Sequence, residues 1–522
     1  MSEQMEDDLT GAQALIATLA DNGVRACFAN PGTSEMHLVS ALDAEPRIRS
    51  VLCLFEGVAS GAADGFARIT GTPALTLLHL GPGYLNAGAN IHNALKAGSP
   101  MINLIGDHAV PHLQYEAPLT SDILALAGPN SVWIKSVESV ETTGAAAAEA
   151  YMASLGPKPG PVSVILPADL AWGQGAQTGP ILEVPACQPA PTEMIRQTVA
   201  AVRAAKSPVI LINGSALSEA GLQAASRLKA AGIRLITDTF FSRMRRGSGV
   251  FAPERLLYFA EGALSQLDGS DLLITAGTQP PVAFFSYPGK PSSLVPGGCD
   301  VIELGGAETD SGTTLALLAD ALGANTSEAP APLVKPNMPS GALNAATIGQ
   351  SLARHMPHDT IVCDDGVSNG FPCFYATMNA RAHDWMMLTG GAIGDGIPMA
   401  LGAAIAAPER KIVCLTGDGA ALYTNQALWS LAREGADVTV IVFVNHDYRI
   451  LNIELQRTGA GETGATAKSL LSLGAPEMDW VSLSKGLGVP AVEVTTPEAF
   501  DAALSECLTN DGPHLIAALL EG

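Results

Sequence analysis

A carboxylate set between two glycines, Gly417-Asp418-Gly419, closes the apolar run KIVCLTGDG, and the same triplet stands upstream at Gly394-Asp395-Gly396. Only the first has a second oxygen ligand in register. The run VTVIVFV ends at Asn445, 27 residues after Asp418, and is followed by His446-Asp447-Tyr448. At the same interval after Asp395 stands Leu422. A carboxylate and an amide oxygen at the ends of adjacent strands are hard ligands of the kind Mg²⁺ takes, its other positions going to water and phosphate oxygens. Flanking glycines let the backbone approach a ligand and leave N–H groups free for phosphate. Asp418 and Asn445 therefore have the outline of a clamp for Mg²⁺ and a diphosphate.

Short β-branched runs alternate along the chain with Ala-rich stretches of helical length, the pattern of parallel sheets covered on both faces by helices. RACFAN, SVLCLFE, ALTLLH, MINLIGD and VSVILP form one group of strands; PVILING, RLITDTF, LLITAG and DVIELG a second; TIVCDDG, WMMLTGG, KIVCLTGDG, VTVIVFVN and HLIAALLE a third. Residues 174–196 and 324–343 lack helical periodicity, are rich in Pro, Ala and Gly, and read as crossings between domains. The expected architecture is α/β, with three doubly wound parallel-sheet domains at 1–173, 197–323 and 344–522. In such sheets ligands bind beyond the carboxyl ends of the strands. Asp418, Asn445, Glu56 and His79 all fall there.

A chain of 522 residues agrees with three domains at roughly 150 residues each. Its formal charge of -23 would repel a phosphate backbone, which argues against nucleic acid and anionic membranes as partners. The eight cysteines form no C-x-x-C pair and mostly lie inside apolar runs, the usage of free thiols in a reducing compartment. The N-terminus, MSEQMEDDLTG, is acidic and has no apolar core of a signal peptide. The longest apolar runs fall far short of the ~20 residues of a membrane helix, so a cytoplasmic protein is expected. The cluster Arg243, Arg245 and Arg246 reads as a solvated surface or a subunit contact.

Gly-Asp-Gly followed by Asn at this interval resembles the thiamin diphosphate fingerprint of the 2-oxo acid decarboxylase and acetohydroxyacid synthase superfamily. The resemblance implies that Asp418, Asn445 and the backbone carbonyl of Asp447 hold Mg²⁺, and that Gly417, Gly419 and Tyr448 lie against the cofactor. Val444 stands where the family usually has a first asparagine. Glu56, followed by GVASGAADGFAR, resembles the glutamate that activates the cofactor through its pyrimidine nitrogen. GGAIGDGIP resembles the segment in which a glycine carbonyl, here Gly391, receives the pyrimidine amino group while an aliphatic residue, here Ile393, props the cofactor in its bent shape. Asp395 is then scaffold. Ser368 and Asn369, in CDDGVSNG, correspond to the diphosphate loop.

On the substrate side, His79 in LLHLGPGYLN and Thr33 in NPGTSE resemble the active-site histidine and the carboxylate-binding serine of benzoylformate decarboxylases. Alignment on Pro288-Gly289 puts Phe284 where those enzymes have a second histidine. Ile450 and Leu451 would line the same pocket. The expected activity is ThDP- and Mg²⁺-dependent, non-oxidative decarboxylation of a 2-oxo acid, with carboligation to an aldehyde or a second 2-oxo acid as a further outcome. GPGYLN and KPGPVSVILPADL look equally like acetohydroxyacid synthases, so an acetolactate-synthase-like carboligase is the alternative. A non-catalytic ThDP-binding paralogue is the second alternative. No Gly-rich dinucleotide turn stands between 197 and 323, and FAD is not expected. The family places its cofactor between subunits, which implies a homodimer or homotetramer.

Overall fold

The computed structural model describes residues 9–459 and 464–521; most of the acidic N-terminus discussed above lies outside them. Three parallel sheets carry the architecture, as the alternation of apolar runs and helices predicts. The first runs, in spatial order, through Arg49–Leu52, Ala26–Ala29, Ala74–His79, Met101–Asp107, Pro161–Pro167 and Trp133–Ser136. The second contains Glu254–Arg255, Arg234–Thr237, Pro208–Ile212, Leu272–Ala276 and Asp300–Glu303. The third contains Arg243–Arg246, His383–Met387, Ile361–Asp365, Ile412–Gly417, Val438–Val444, His514–Leu519 and Ala491–Val494. Strands such as Met101–Asp107 and Val438–Val444 are buried along their whole length, because helices cover both faces.

One strand contradicts the sequence reading. Arg243–Arg246 is not a solvated basic cluster: it pairs antiparallel with His383–Met387 as the edge of the third sheet, although it belongs to the middle stretch of the chain. Its residues alternate in exposure, with Met244 and Arg246 buried, as the period of two of a strand requires. Arg243 donates to Asp384 at 3.0 Å and Arg246 to the carbonyl of Phe374 at 2.6 Å. The Arg246 guanidinium also lies 3.5 Å from the Phe374 ring centroid. Packing on an aromatic face lets a guanidinium sit where an ammonium would be poorly solvated.

The first and third sheets meet through helices. Glu56–Thr70, ending in a left-handed Gly71 (φ 71°), crosses Gly396–Ala406 so closely that a methyl on Gly402 would lie 1.9 Å from the Ala62 carbonyl oxygen. The small residues of GVASGAADGFAR serve this contact. Leu80–Ala97 joins the same junction: Asn90 donates to Gly57 O at 2.8 Å and Asn93 to Ala392 O at 2.8 Å. All eight cysteines are free, six of them buried. Among the described residues no helix is long and apolar enough to cross a membrane.

Candidate functional site

The strand Ile412–Gly417 lies between Ile361–Asp365 and Val438–Val444 and is parallel to both, so Asp418 and Asn445 emerge side by side. Asp418 is 6% exposed and spends both oxygens on backbone amides. Its Oδ1 accepts from Gly419 N at 2.9 Å, and its Oδ2 from Asn445 N at 3.1 Å and His446 N at 2.8 Å. Burial raises the carboxyl above the usual range, and these three N–H groups oppose the rise. Asn445 Oδ1 accepts from Asp447 N at 3.1 Å. The turn is tight enough that His446 adopts φ 56°, a left-handed conformation uncommon for a non-glycine residue. The Tyr448 ring lies over Gly419, where a Cβ would come within 2.4 Å of its Cε1. The outcome is a carboxylate, an amide oxygen and a backbone carbonyl at one turn. That donor set suits a hard cation which keeps phosphate oxygens in its remaining positions. Among the described residues no three His, Cys, Asp or Glu side chains gather into an all-protein metal cage.

The wall proposed for the pyrimidine end lies next to this turn. Gly391 is exposed with φ 76°, and Ile393 is half-buried. The wall is braced from three sides. Asn93 holds Ala392 O, Thr424 donates to Gly394 O at 2.7 Å, and Asp365 Oδ2 accepts from Gly394 N at 2.8 Å and Gly396 N at 3.2 Å. Phe284 approaches Gly391 to within 3.1 Å of where a Cβ would stand. It is 44% exposed and packs on Tyr258, Phe240 and Phe285. Ser368 and the buried Asn369 follow the end of Ile361–Asp365 in a short 3-10 turn, where Val367 has φ 48°. Ile450 and the exposed Leu451 begin the helix Arg449–Arg457.

A second group assembles at the carboxyl end of the first sheet. Glu56, 7% exposed, opens its helix and accepts a hydrogen bond from Asn86 Nδ2 at 2.9 Å. His79 ends the strand Ala74–His79. A Cβ on Gly83 would lie 3.4 Å from both Glu56 Oε1 and His79 Cβ, so the two side chains border one small space. Thr33 is exposed at the start of the turn Thr33–Glu35, whereas its neighbours Ser34 and Glu35 reach the His79 ring. No hydrogen bond among the described residues joins Glu56, His79 or Thr33 to Asp418, Asn445, Asp447 or Tyr448.

Sequence reasoning passed over Glu35, Ser34, Asn86, Asn93 and Asp365. Glu35 had a local signal, since Gly32-x-x-Glu35 has the spacing of a helix-start capping pair, and Gly32 N donates to Glu35 Oε2 at 2.8 Å. Asn86 and Asn93 act across tertiary contacts and had none. A cavity of about 690 Å³ lies in the middle region beyond Leu272–Ala276 and Asp300–Glu303, bordered by Cys187, Thr278, Gln279, Gly305 and Thr309. It contains none of the residues to which the sequence pointed.

Comparison with known proteins matches two family descriptions. "Thiamine pyrophosphate enzyme, N-terminal TPP binding domain" covers residues 9–126, and "Thiamine pyrophosphate enzyme, C-terminal TPP binding domain" covers 370–518. A Mycobacterium tuberculosis protein, IlvX, named provisionally as an acetolactate synthase large subunit, is 48% identical over 97% of this chain and 98% of its own. Benzoylformate decarboxylase of Pseudomonas aeruginosa is 26% identical over 95% of this chain and 96% of its own. The solved thiamine diphosphate-dependent 4-hydroxybenzoylformate decarboxylase of Rhodococcus jostii superposes with a TM-score of 0.86 at 25% identity, covering 98% of this chain and 99% of that one.

Proposed function

The chain belongs to the thiamine pyrophosphate enzyme family, and from that premise we propose that it removes CO₂ from a 2-oxo acid and returns a proton to the carbon left behind, releasing an aldehyde. The observation that carries this reading is His79, which ends its strand so that its Cβ and the Glu56 carboxyl flank the same glycine, Gly83. Thiamin diphosphate, when bound, supplies the carbon nucleophile and the electron sink for the departing CO₂. Asp418, Asn445 and the Asp447 carbonyl would hold Mg²⁺ against its diphosphate, with Ser368, Asn369, Gly417, Gly419 and Tyr448 beside it. Gly391 and Ile393 would fix the pyrimidine end. Glu56 would exchange a proton with the ring nitrogen. Thr33 would receive the substrate carboxylate, with Phe284, Ile450 and Leu451 against its acyl group. Proton delivery by a positioned imidazole is worth roughly 10²- to 10⁴-fold in rate.

We read these two groups as halves of one site, which favours assembly as a homodimer or homotetramer, one copy supplying Glu56 and His79 and another the Asp418 turn. Leu54 and Leu85, near Glu56 and Asn86 in the chain, are 44% and 61% exposed, an apolar rim that a second copy would cover.

The 48% identity to IlvX favours a second reading, capture of the acyl unit by another carbonyl compound to give an acyloin or acetolactate-type product. One experiment separates the readings: purified protein with ThDP and Mg²⁺ is offered a panel of 2-oxo acids, with and without aldehyde acceptors, and the products are identified by NMR. Aldehyde as the main product supports decarboxylation. Acyloin or acetolactate-type product supports carboligation. ThDP retention without turnover across the panel would point to a ThDP-binding protein without catalysis.

A further inference from the structure

His79 is held by a side chain outside the reading above. Its Nδ1 lies 2.9 Å from Glu35 Oε2 and 3.1 Å from Ser34 Oγ. Glu35 is fully buried, and each of its oxygens is engaged. Oε2 also accepts from Gly32 N at 2.8 Å, and Oε1 accepts from Ser34 Oγ at 2.5 Å. We propose that Glu35 is the positioning residue of this site: it accepts the Nδ1 proton of His79, so that the ring is turned one way and its Nε2 is left to face the reacting carbon.

The hydrogen-bond inventory assigns the direction. Ser34 and Gly32 are committed as donors to Glu35, and a carboxylate has only acceptor sites to offer in return. The Nε2–H tautomer of a neutral ring would bring the Nδ1 lone pair against a carboxylate oxygen at hydrogen-bond distance; the Nδ1–H tautomer makes a charge-assisted bond there. No hydrogen bond of Nε2 occurs among the described residues, and the His79 side chain is part-exposed. The backbone is shaped to the arrangement. Leu80, next in the chain, is buried yet has φ 48°, a conformation that is unfavourable for a residue with a side chain. A Cβ on Gly32 would fall 2.2 Å from His79 Nδ1, and one on Gly106 would fall 1.9 Å from Glu35 Oε1. The carboxylate thus fills a slot that admits no other side chain from either neighbour.

This inference rests on His79 facing the substrate, so its test separates orientation from turnover. Solid-state ¹⁵N NMR of histidine-labelled holoprotein, with the His79 signals identified by their loss in His79→Gln, reads the tautomer directly. An Nδ1–H ring is expected in the parent protein, and an Nε2–H ring there overturns the proposal whatever any variant does. Glu35→Gln should keep the Nδ1–H signal, because an amide oxygen can stand at Oε2 while the NH₂ faces Ser34 Oγ. Glu35→Leu should lose that signal and lower kcat by on the order of 10- to 100-fold, the usual cost of losing a partner that orients a functional imidazole, with little change in KM. An unchanged tautomer in a folded Glu35→Leu protein also overturns the proposal. If the tautomer follows Glu35 but His79→Ala leaves turnover intact, the orientation stands and the proton-delivery role of His79 falls.

Discussion

Gly417-Asp418-Gly419 and Gly394-Asp395-Gly396 are the same three residues, and both carboxylates are buried, 6% and 0% exposed. Asp418 receives three backbone N–H groups. Among the described residues Asp395 receives none: both of its oxygens lack a hydrogen-bond partner, and Arg68 Nη2 is 4.0 Å away. That guanidinium is already engaged by Asp64, through bonds of 2.9 and 2.5 Å, and by the Met387 carbonyl at 2.6 Å. Burial, then the Asp64 charge, push the Asp395 carboxyl well above its usual range. One carboxylate is solvated by the turn it belongs to. The other is wedged between two helices where burial opposes its ionisation, so the motif by itself does not define the chemistry. Glu56 stands between them, with one donor, Asn86.

The contrast can be broken by mutation, and the largest effect should fall on Asp418. Asp418→Ala is expected to lose bound ThDP and more than about 10³-fold of turnover, given that a charge-assisted metal contact is removed outright. ThDP measured by absorbance after gel filtration checks it, and retention of stoichiometric cofactor would end the clamp assignment. Glu56→Gln should cost at least on the order of 10²-fold in kcat, the scale of a lost acid-base group, with bound ThDP and Tm nearly as in the parent. Substantial residual turnover would remove Glu56 from the chemistry.

Asp395→Asn should leave ThDP binding intact and raise stability at neutral pH, since it removes a buried carboxyl whose ionisation the fold opposes. The sign follows from linkage. A carboxyl that binds its proton more tightly in the folded state stabilises the fold fully below the unfolded pKa, and that contribution is lost as pH rises. The gain should therefore shrink toward pH 4. Loss of cofactor in Asp395→Asn would erase the distinction between the triplets.

The smallest effect is expected at Asp365, whose carboxyl burial pushes up to about 7. Its contribution is complete below the unfolded value near pH 4 and is lost as pH rises through about 7. Calorimetric Tm measured from pH 4 to 7 should fall less steeply in Asp365→Asn than in the parent, and an unchanged slope would show that Asp365 does not carry this proton.

Much of the fold was legible because it is written locally. Runs such as VTVIVFV are too short and too β-branched for helices, and the Ala-rich stretches between them leave parallel pairing as the consistent solution. The strand Arg243–Arg246 was not legible, since its polar letters make sense only against Asp384, Asp359 and Phe374, which come more than 100 residues later. The candidate site divides the same way. Asp418 and Asn445 are set by an interval along the chain, but the ring orientation of His79 depends on Glu35, 44 residues away.

The sequence by itself determined the order of strands and helices, the residues at the carboxyl ends of the strands, and the family to which they point, because periodicity and spacing are properties of the chain alone. Tertiary structure decided which of two identical Gly-Asp-Gly turns has its carboxylate held by backbone N–H groups. It also decided which side of His79 is tied down, and how closely Glu56–Thr70 lies on Gly396–Ala406. These depend on the local dielectric and on hydrogen-bond partners brought from distant parts of the chain, and neither exists until the sheets have packed.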